Sequence, residues 1–191
     1  MAKRIILAGI LGGFALFVWG SLAHTVLGLG QVGVQALPQQ QPVMDTLKAS
    51  VPQTGFYFFP QPDSAMKLPP DKIGGPYGIL IYHPAGAGAS MTGQLMTELA
   101  LNVFLALFAA FLLSLASGLT GFASRVGFVT LLGLIVGLMT NVQYWNWYGF
   151  PTSYTVAAVF IDVVGFLVVG LVAAGLLKPR TPLIVEMPAA A

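Results

Sequence analysis

Apolar residues are gathered along this chain into four long blocks, separated by segments of a different character. From Ile5 to about Leu29 nearly every position is apolar, and Lys3 and Arg4 stand just before the run. At about 1.5 Å of rise per residue such a stretch crosses a hydrocarbon core of about 30 Å, so it predicts a first transmembrane helix. The pattern recurs from Leu95 to about Ser117, from Val126 to about Trp145 and from Tyr154 to Leu177, which predicts three more spans. A charged start followed by Ser21-Leu22-Ala23 also fits a cleaved signal peptide; a retained helix is the expectation adopted here. The fold class expected is an all-α membrane protein, a bundle of four transmembrane helices. Its segments are a first helix in 1–30, an outer aqueous loop over 31–92, helices two to four in 93–177 and a cytoplasmic tail over 178–191.

The roughly 60-residue loop breaks the apolar pattern with prolines, a glutamine run at 39–41, and charges at Asp45, Lys48, Asp63, Lys67, Asp71 and Lys72. No part of it is suited to lipid. Pro42 followed by Val43, Met44, Leu47 and Val51 at helical spacing predicts a short amphipathic helix. Two β-rich runs follow, Gly55 to Phe59 and Tyr77 to His83, each closed by a proline. They are expected to pair as a small β-ribbon, and a ribbon of two strands is marginal in water by itself. Period-two placement puts Phe56 and Phe58 on one face and Tyr57 and Phe59 on the other. Rings on both faces, with Tyr77 nearby, are expected to be covered by the helices or by a partner.

Between the third and fourth blocks, Tyr144, Trp145, Trp147, Tyr148 and Tyr154 suit an aromatic belt at headgroup level, where amphipathic rings meet both oil and water. Pairs of small residues four apart, Gly9 and Gly13, Gly133 and Gly137, Gly170 and Ala174, predict close helix contacts.

Composition agrees with the pattern and narrows the chemistry. Of the 191 residues 57% are hydrophobic and 7% charged, against roughly 25% charged in a soluble domain. A net charge of +2 without a run of three basic residues leaves no footprint for nucleic acid. There is no cysteine, which removes thiolate metal sites, disulfides and thiol nucleophiles together. Lys3, Arg4, Arg125, Lys178 and Arg180 all flank one side of the expected spans, which places both termini in the cytoplasm and the protein in the inner membrane.

Three ionisable side chains lie inside apolar blocks: His24, Glu98 and Asp162. Asp162 is eight residues past Tyr154, about 12 Å deep. Each lies on a stripe of small or polar neighbours: Gly13, Phe17, Gly20 and His24; Glu98 and Asn102; Thr155, Ala158, Asp162 and Gly165. Those spacings put each set on one helix face, the one that turns toward the other helices. A lone carboxylate there costs about 3 kcal/mol on the insertion scale, so Asp162 is protonated or partnered, with His24, Asn102 or Asn141 as candidates. His24, Glu98, Asn102 and Asp162 are therefore the candidate polar site, open to three readings: interhelical hydrogen bonds, a proton or small-ligand site, or a metal site. For a metal the spacing has no local motif, and no metal or cofactor is expected. Pro84 to Gly93 has the small residues of a phosphate cradle without its lysine, and His83 has no acidic neighbour to orient it. No catalytic residue is assigned.

In layout the chain resembles claudin-like four-helix proteins, with an inner N-terminus, a long first outer loop of β character and a short second one. The tryptophan and cysteine signature of that family's first loop has no counterpart, so the resemblance implies topology and nothing about activity. The function expected is a non-catalytic subunit or accessory protein of a larger membrane complex, its partners the bilayer and other membrane subunits. The alternative is a small proton-linked transporter or ligand carrier using the polar cluster.

The topology is tested by fusing a reporter active only in the cytoplasm. It is expected to be active after Ala191 and silent when inserted near Pro62; the opposite pattern overturns the charge argument.

Overall fold

The computed structural model describes residues 1–61, 74–84 and 90–179. Its helices are α1 (Ala2–Thr25), α2 (Gln40–Ser50), α3 (Met91–Leu115), α4 (Phe122–Gly137), α5 (Gln143–Tyr148) and α6 (Thr152–Leu176), and its strands β1 (Gly55–Phe59) and β2 (Gly78–Tyr82). Four helical stretches are long and apolar enough to cross a membrane: α1, α3, the run from Phe122 to Tyr148, and α6. A helix long and apolar enough stands at each of the four expected spans. Each begins two to four residues before its expected start, because the polar residues ahead of each apolar block join the first turn.

The third span runs a little past its expected end near Trp145: the chain continues as a π-helical turn over Leu138–Val142 and then α5, so that one 27-residue helix reaches Tyr148. Aromatic residues that suit a headgroup layer are also compatible with helix, and nothing before Gly149 stops the turn. Gly149, at φ 70° and ψ 28°, takes the left-handed conformation that closes a helix without a Cβ penalty. Pro151 sits at the N-cap position of α6. α3 starts at Ser90, whose hydroxyl accepts a hydrogen bond from the Gly93 amide at 3.0 Å.

α1 lies between α3 and α6, and α4 packs on α6, while α3 and α4 meet only lightly despite the short turn that joins them. The expected small-residue pairs all lie at these seams. A methyl group on Gly9 would overlap Leu107, and one on Gly13 would overlap Val103. On the other side, Gly133 faces Phe166, Gly137 faces Val159 and Asp162, and Gly170 lies over Val126 and Val129. Ala8, Ala106, Ala109, Ala110 and Ala173 fill the centre with Val129 and Val169. Small side chains let helix backbones approach, and dispersion and weak interhelical bonds then hold them where lipid offers no hydrophobic drive.

The loop holds the expected short helix and ribbon. β1 and β2 are antiparallel, with Phe56 opposite Ile81 and Phe58 opposite Ile79. Phe56 and Phe58 lean on each other and on Tyr148, with ring centroids 5.0, 6.2 and 5.9 Å apart, and the row continues through Tyr144, Phe150 and Tyr154. The helices nevertheless leave most of this surface open: Phe56 is 50% exposed, Phe59 48% and Tyr77 74%. Full cover by the chain's own helices, one of the two expected alternatives, does not occur. Much of the Pro84 to Gly93 segment, and the tail beyond residue 179, lie outside the described residues.

Arg125 departs from its expected place as a solvated flanking charge. It is 4% exposed, and its Nη1 donates to the carbonyls of Ala174 at 3.1 Å and Leu177 at 2.8 Å. The last carbonyls of a helix lack intrahelical partners and carry partial negative charge, so a guanidinium from α4 closes the end of α6. Arg125→Met is expected to lower stability by about 1–3 kcal/mol, the cost of leaving such acceptors unpaired, and Arg125→Lys by less. Unfolding in an SDS titration measures both; equal stability of all three forms would mean that water replaces the guanidinium there.

Candidate functional site

The two seams on α1 determine where space opens. Gly9 and Gly13 bring α1 hard against α3 over Leu107 and Val103, whereas a Cβ on Gly20, two turns further on, would meet nothing within 4 Å. Helices that touch at one level and diverge at another leave a wedge. Here the wedge is a cleft of about 420 Å³ at the loop end, bounded by Phe17, Gly20, Ser21, His24 and Thr25 of α1 and by Leu95, Glu98 and Asn102 of α3. It adjoins an inner hollow of about 250 Å³ among α1, α3, α4 and α6, whose walls include Trp19, Asn102, Val136, Ile161, Asp162 and Phe166. His24, Glu98 and Asn102 border both.

Of the four residues of the candidate polar site, Asp162 alone is confined to the inner hollow. His24 is held from two sides: its Nδ1 lies 2.8 Å from the Gly20 carbonyl, and its ring packs so closely on Gly30 that a methyl group there would overlap it. A carbonyl only accepts, so Nδ1 carries a proton in this contact, and in the neutral tautomer that this selects Nε2 is an acceptor. Glu98 is on the exposed rim of α3, and Asn102, one turn deeper, is 6% exposed.

Asp162 is partnered, and of the three candidates the partner is Asn141. The Asn141 Nδ2 donates to Asp162 Oδ2 at 3.0 Å, and Asn141 is 9% exposed. Asn141 stands in the π-helical turn, where the wider winding changes which face of the helix the following residues occupy; such turns recur at functional positions. The backbone of α6 is also tied to α1 here, since Trp19 Nε1 donates to the Ile161 carbonyl at 2.9 Å. Reading the sequence named Asn141 only as a possible partner and did not single out Trp19, Ser21 or Thr25 as site residues. Polar residues in an apolar run were the available signal for Asn141; for Trp19, whose ring is as suited to lipid as to a cavity, there was none.

Among the described residues no group of three or more His, Asp or Glu side chains is close enough to share a metal ion. A larger hollow, about 800 Å³, lies against α4 and α6 near the other end, bounded by Leu119, Phe122, Phe128, Leu131 and Leu171. The hydroxyls on it, Ser124 and Thr130, donate to the carbonyls of Gly121 and Val126, so it presents acyl-chain chemistry only.

The Asn141 and Asp162 pair is tested by a double-mutant cycle. Asn141→Leu strands the carboxylate and is expected to cost about 1–3 kcal/mol, while adding Asp162→Leu removes the stranded group and recovers part of the loss. Asp162→Asn keeps shape and bonding capacity and is expected to change stability by about 1 kcal/mol or less. Strictly additive losses in the SDS titration would mean that the two side chains are not coupled.

Comparisons with protein-family models, with curated proteins and with solved structures find no match for this chain, so the reading of the site rests on its own geometry.

Proposed function

We propose that the chain is a non-catalytic subunit or accessory protein of a larger complex in the inner membrane, with both termini in the cytoplasm and the loop outside. The observation that carries this is the open aromatic surface where the ribbon meets α5. Phe56, Ile81, Tyr77 and Trp147 are between 50% and 74% exposed, and edge-on and tilted ring contacts join the ribbon to the helices. Single exposed apolar residues are ordinary, but a contiguous patch of this kind marks a surface that another molecule covers. Tyr144, Trp145 and Trp147 are at home among headgroups; the ribbon rings rise from a loop unsuited to lipid, and a protein partner accounts for them better. A two-stranded ribbon is marginal without further support, which a partner supplies.

A second reading, a small proton-linked transporter or ligand carrier, is favoured by one observation: His24, Glu98 and Asn102 border one cleft, and the hollow beside it, which they also border, reaches Asp162. The two differ in what each surface does when altered.

A photo-crosslinking residue at position 56 or 147, activated in native membranes, is expected to give one discrete protein adduct in the subunit case. Adducts with lipid alone at position 56 overturn it. For the cleft, Asp162→Asn and Glu98→Gln that assemble normally yet lose the whole phenotype of a gene deletion favour the carrier, and rescue of that phenotype by both favours the subunit.

A further inference from the structure

Apart from the Asn102 amide, the hydrogen-bonding groups that line the cleft are left as acceptors. Ser21 Oγ donates to the Phe17 carbonyl at 2.9 Å and Thr25 Oγ1 to the Ser21 carbonyl at 2.7 Å. His24 Nδ1 is committed to the Gly20 carbonyl, and Trp19 Nε1 to that of Ile161. Each of these side chains has spent its proton on backbone, so what remains is lone pairs: the two hydroxyl oxygens and His24 Nε2. To them the cleft wall adds the Glu98 carboxylate, and the hollow beside it the second oxygen of Asp162, whose Oδ2 is taken by Asn141. No lysine or arginine is among the walls.

Asn102 points to something that fills this space. It is 6% exposed and makes no side-chain hydrogen bond with the described residues, yet no fully enclosed side-chain nitrogen or oxygen among them lacks a partner. Its amide therefore opens on the cleft. A buried amide in native proteins has a partner, in protein or otherwise.

We propose that the cleft between α1 and α3 is a binding site for an ammonium group, entered from the loop end. An ammonium is all donors and carries the charge that the Glu98 carboxylate opposes; Phe17 lines the same cleft, and aromatic rings attract cations. An anion meets a carboxylate here without a cationic residue. A divalent metal lacks its three close ligands. About 420 Å³ lies within the range of small-molecule sites, roughly 300–1,000 Å³. The group comes either from a free amine or from the headgroup of an ethanolamine lipid. The inference rests on the cleft that favours the carrier reading, and an ammonium bound there as a structural ligand is equally compatible with a subunit.

The test uses the full chain in nanodiscs of phosphatidylglycerol, which has no ammonium, with thermal unfolding as readout, since a ligand that binds only the folded form raises its melting temperature. Butylammonium is the probe and butanol its neutral counterpart. Butylammonium is expected to raise the melting temperature in a saturable way, butanol is not, and Glu98→Gln and Asn102→Leu should each weaken the apparent affinity about tenfold or more. Glu98 is on the rim, so Glu98→Gln keeps the fold, and the probe comparison on the unaltered chain needs no variant. Discs containing phosphatidylethanolamine separate the sources. If the lipid itself stabilises the chain through Glu98 and cancels the butylammonium shift, the headgroup is the ligand; if the shift is unchanged, the ligand is a free amine. No stabilisation by either source, an equal shift with butanol, or a shift that Glu98→Gln leaves intact overturns the proposal. None of these outcomes bears on the crosslink at position 56, so the site and the subunit reading fail separately.

Discussion

In an apolar surrounding, helices gain nothing from hiding apolar side chains from one another, and what brings them together is how closely their backbones can approach. In this chain that approach is set by glycine and alanine. Gly9 and Gly13 admit Leu107 and Val103, Gly133 admits Phe166, and Gly170 admits Val126 and Val129. With α1 clasped to α3 at those levels, the empty space beside Gly20 follows as divergence beyond the clasp. The polar cleft is thus a product of the packing. A larger residue at Gly13 would move its walls without touching any polar group in it.

Polar groups in such a setting are expensive unless partnered, and the ways they are satisfied here divide by place. At the end near the termini, Arg125 reaches across to the last carbonyls of α6 and is consumed by structure. Around the cleft the donors are consumed too, but by each helix's own backbone, apart from Asn141 and Trp19, which bind α4 and α1 to α6. That leaves a rim and wall rich in acceptors, with Asn102 able to serve from below. A structural polar cluster would be expected to pair Glu98, Asn102 and His24 with one another; these face an open space instead. This separates Asp162, bound to Asn141, from the three residues nearer the mouth.

The loop follows a different rule. Rings on both faces of β1 have no one-sided solution, and docking one face on Tyr148 satisfies only part of the need. Phe59 and Tyr77 remain 48% and 74% exposed, and the marginal ribbon is held by few contacts. A surface that the chain does not finish by itself is the physical basis for assigning it to a partner.

Several features of this protein were legible in its sequence by itself. The four apolar blocks determine four helices long and apolar enough to cross a membrane, since a helix satisfies every backbone group without water. The small pairs at spacing four determine the contact faces, and β-rich runs closed by a proline determine the ribbon down to β1's ends at Gly55 and Phe59. The stripes through His24, Glu98, Asn102 and Asp162 likewise pointed to faces that border the cleft and the hollow beside it, since helical spacing is a local property. Tertiary structure alone decided the rest. That α1 lies between α3 and α6 depends on which complementary faces meet, and short turns do not settle this, as the light contact between α3 and α4 shows. The choice of Asn141 as the partner of Asp162 depended on a π-helical turn whose sequence, LMTNV, is compatible with ordinary helix. The role of Arg125 depended on the end of a helix 49 residues away in the chain coming within reach of its side chain, a matter of three-dimensional proximity that no local pattern encodes.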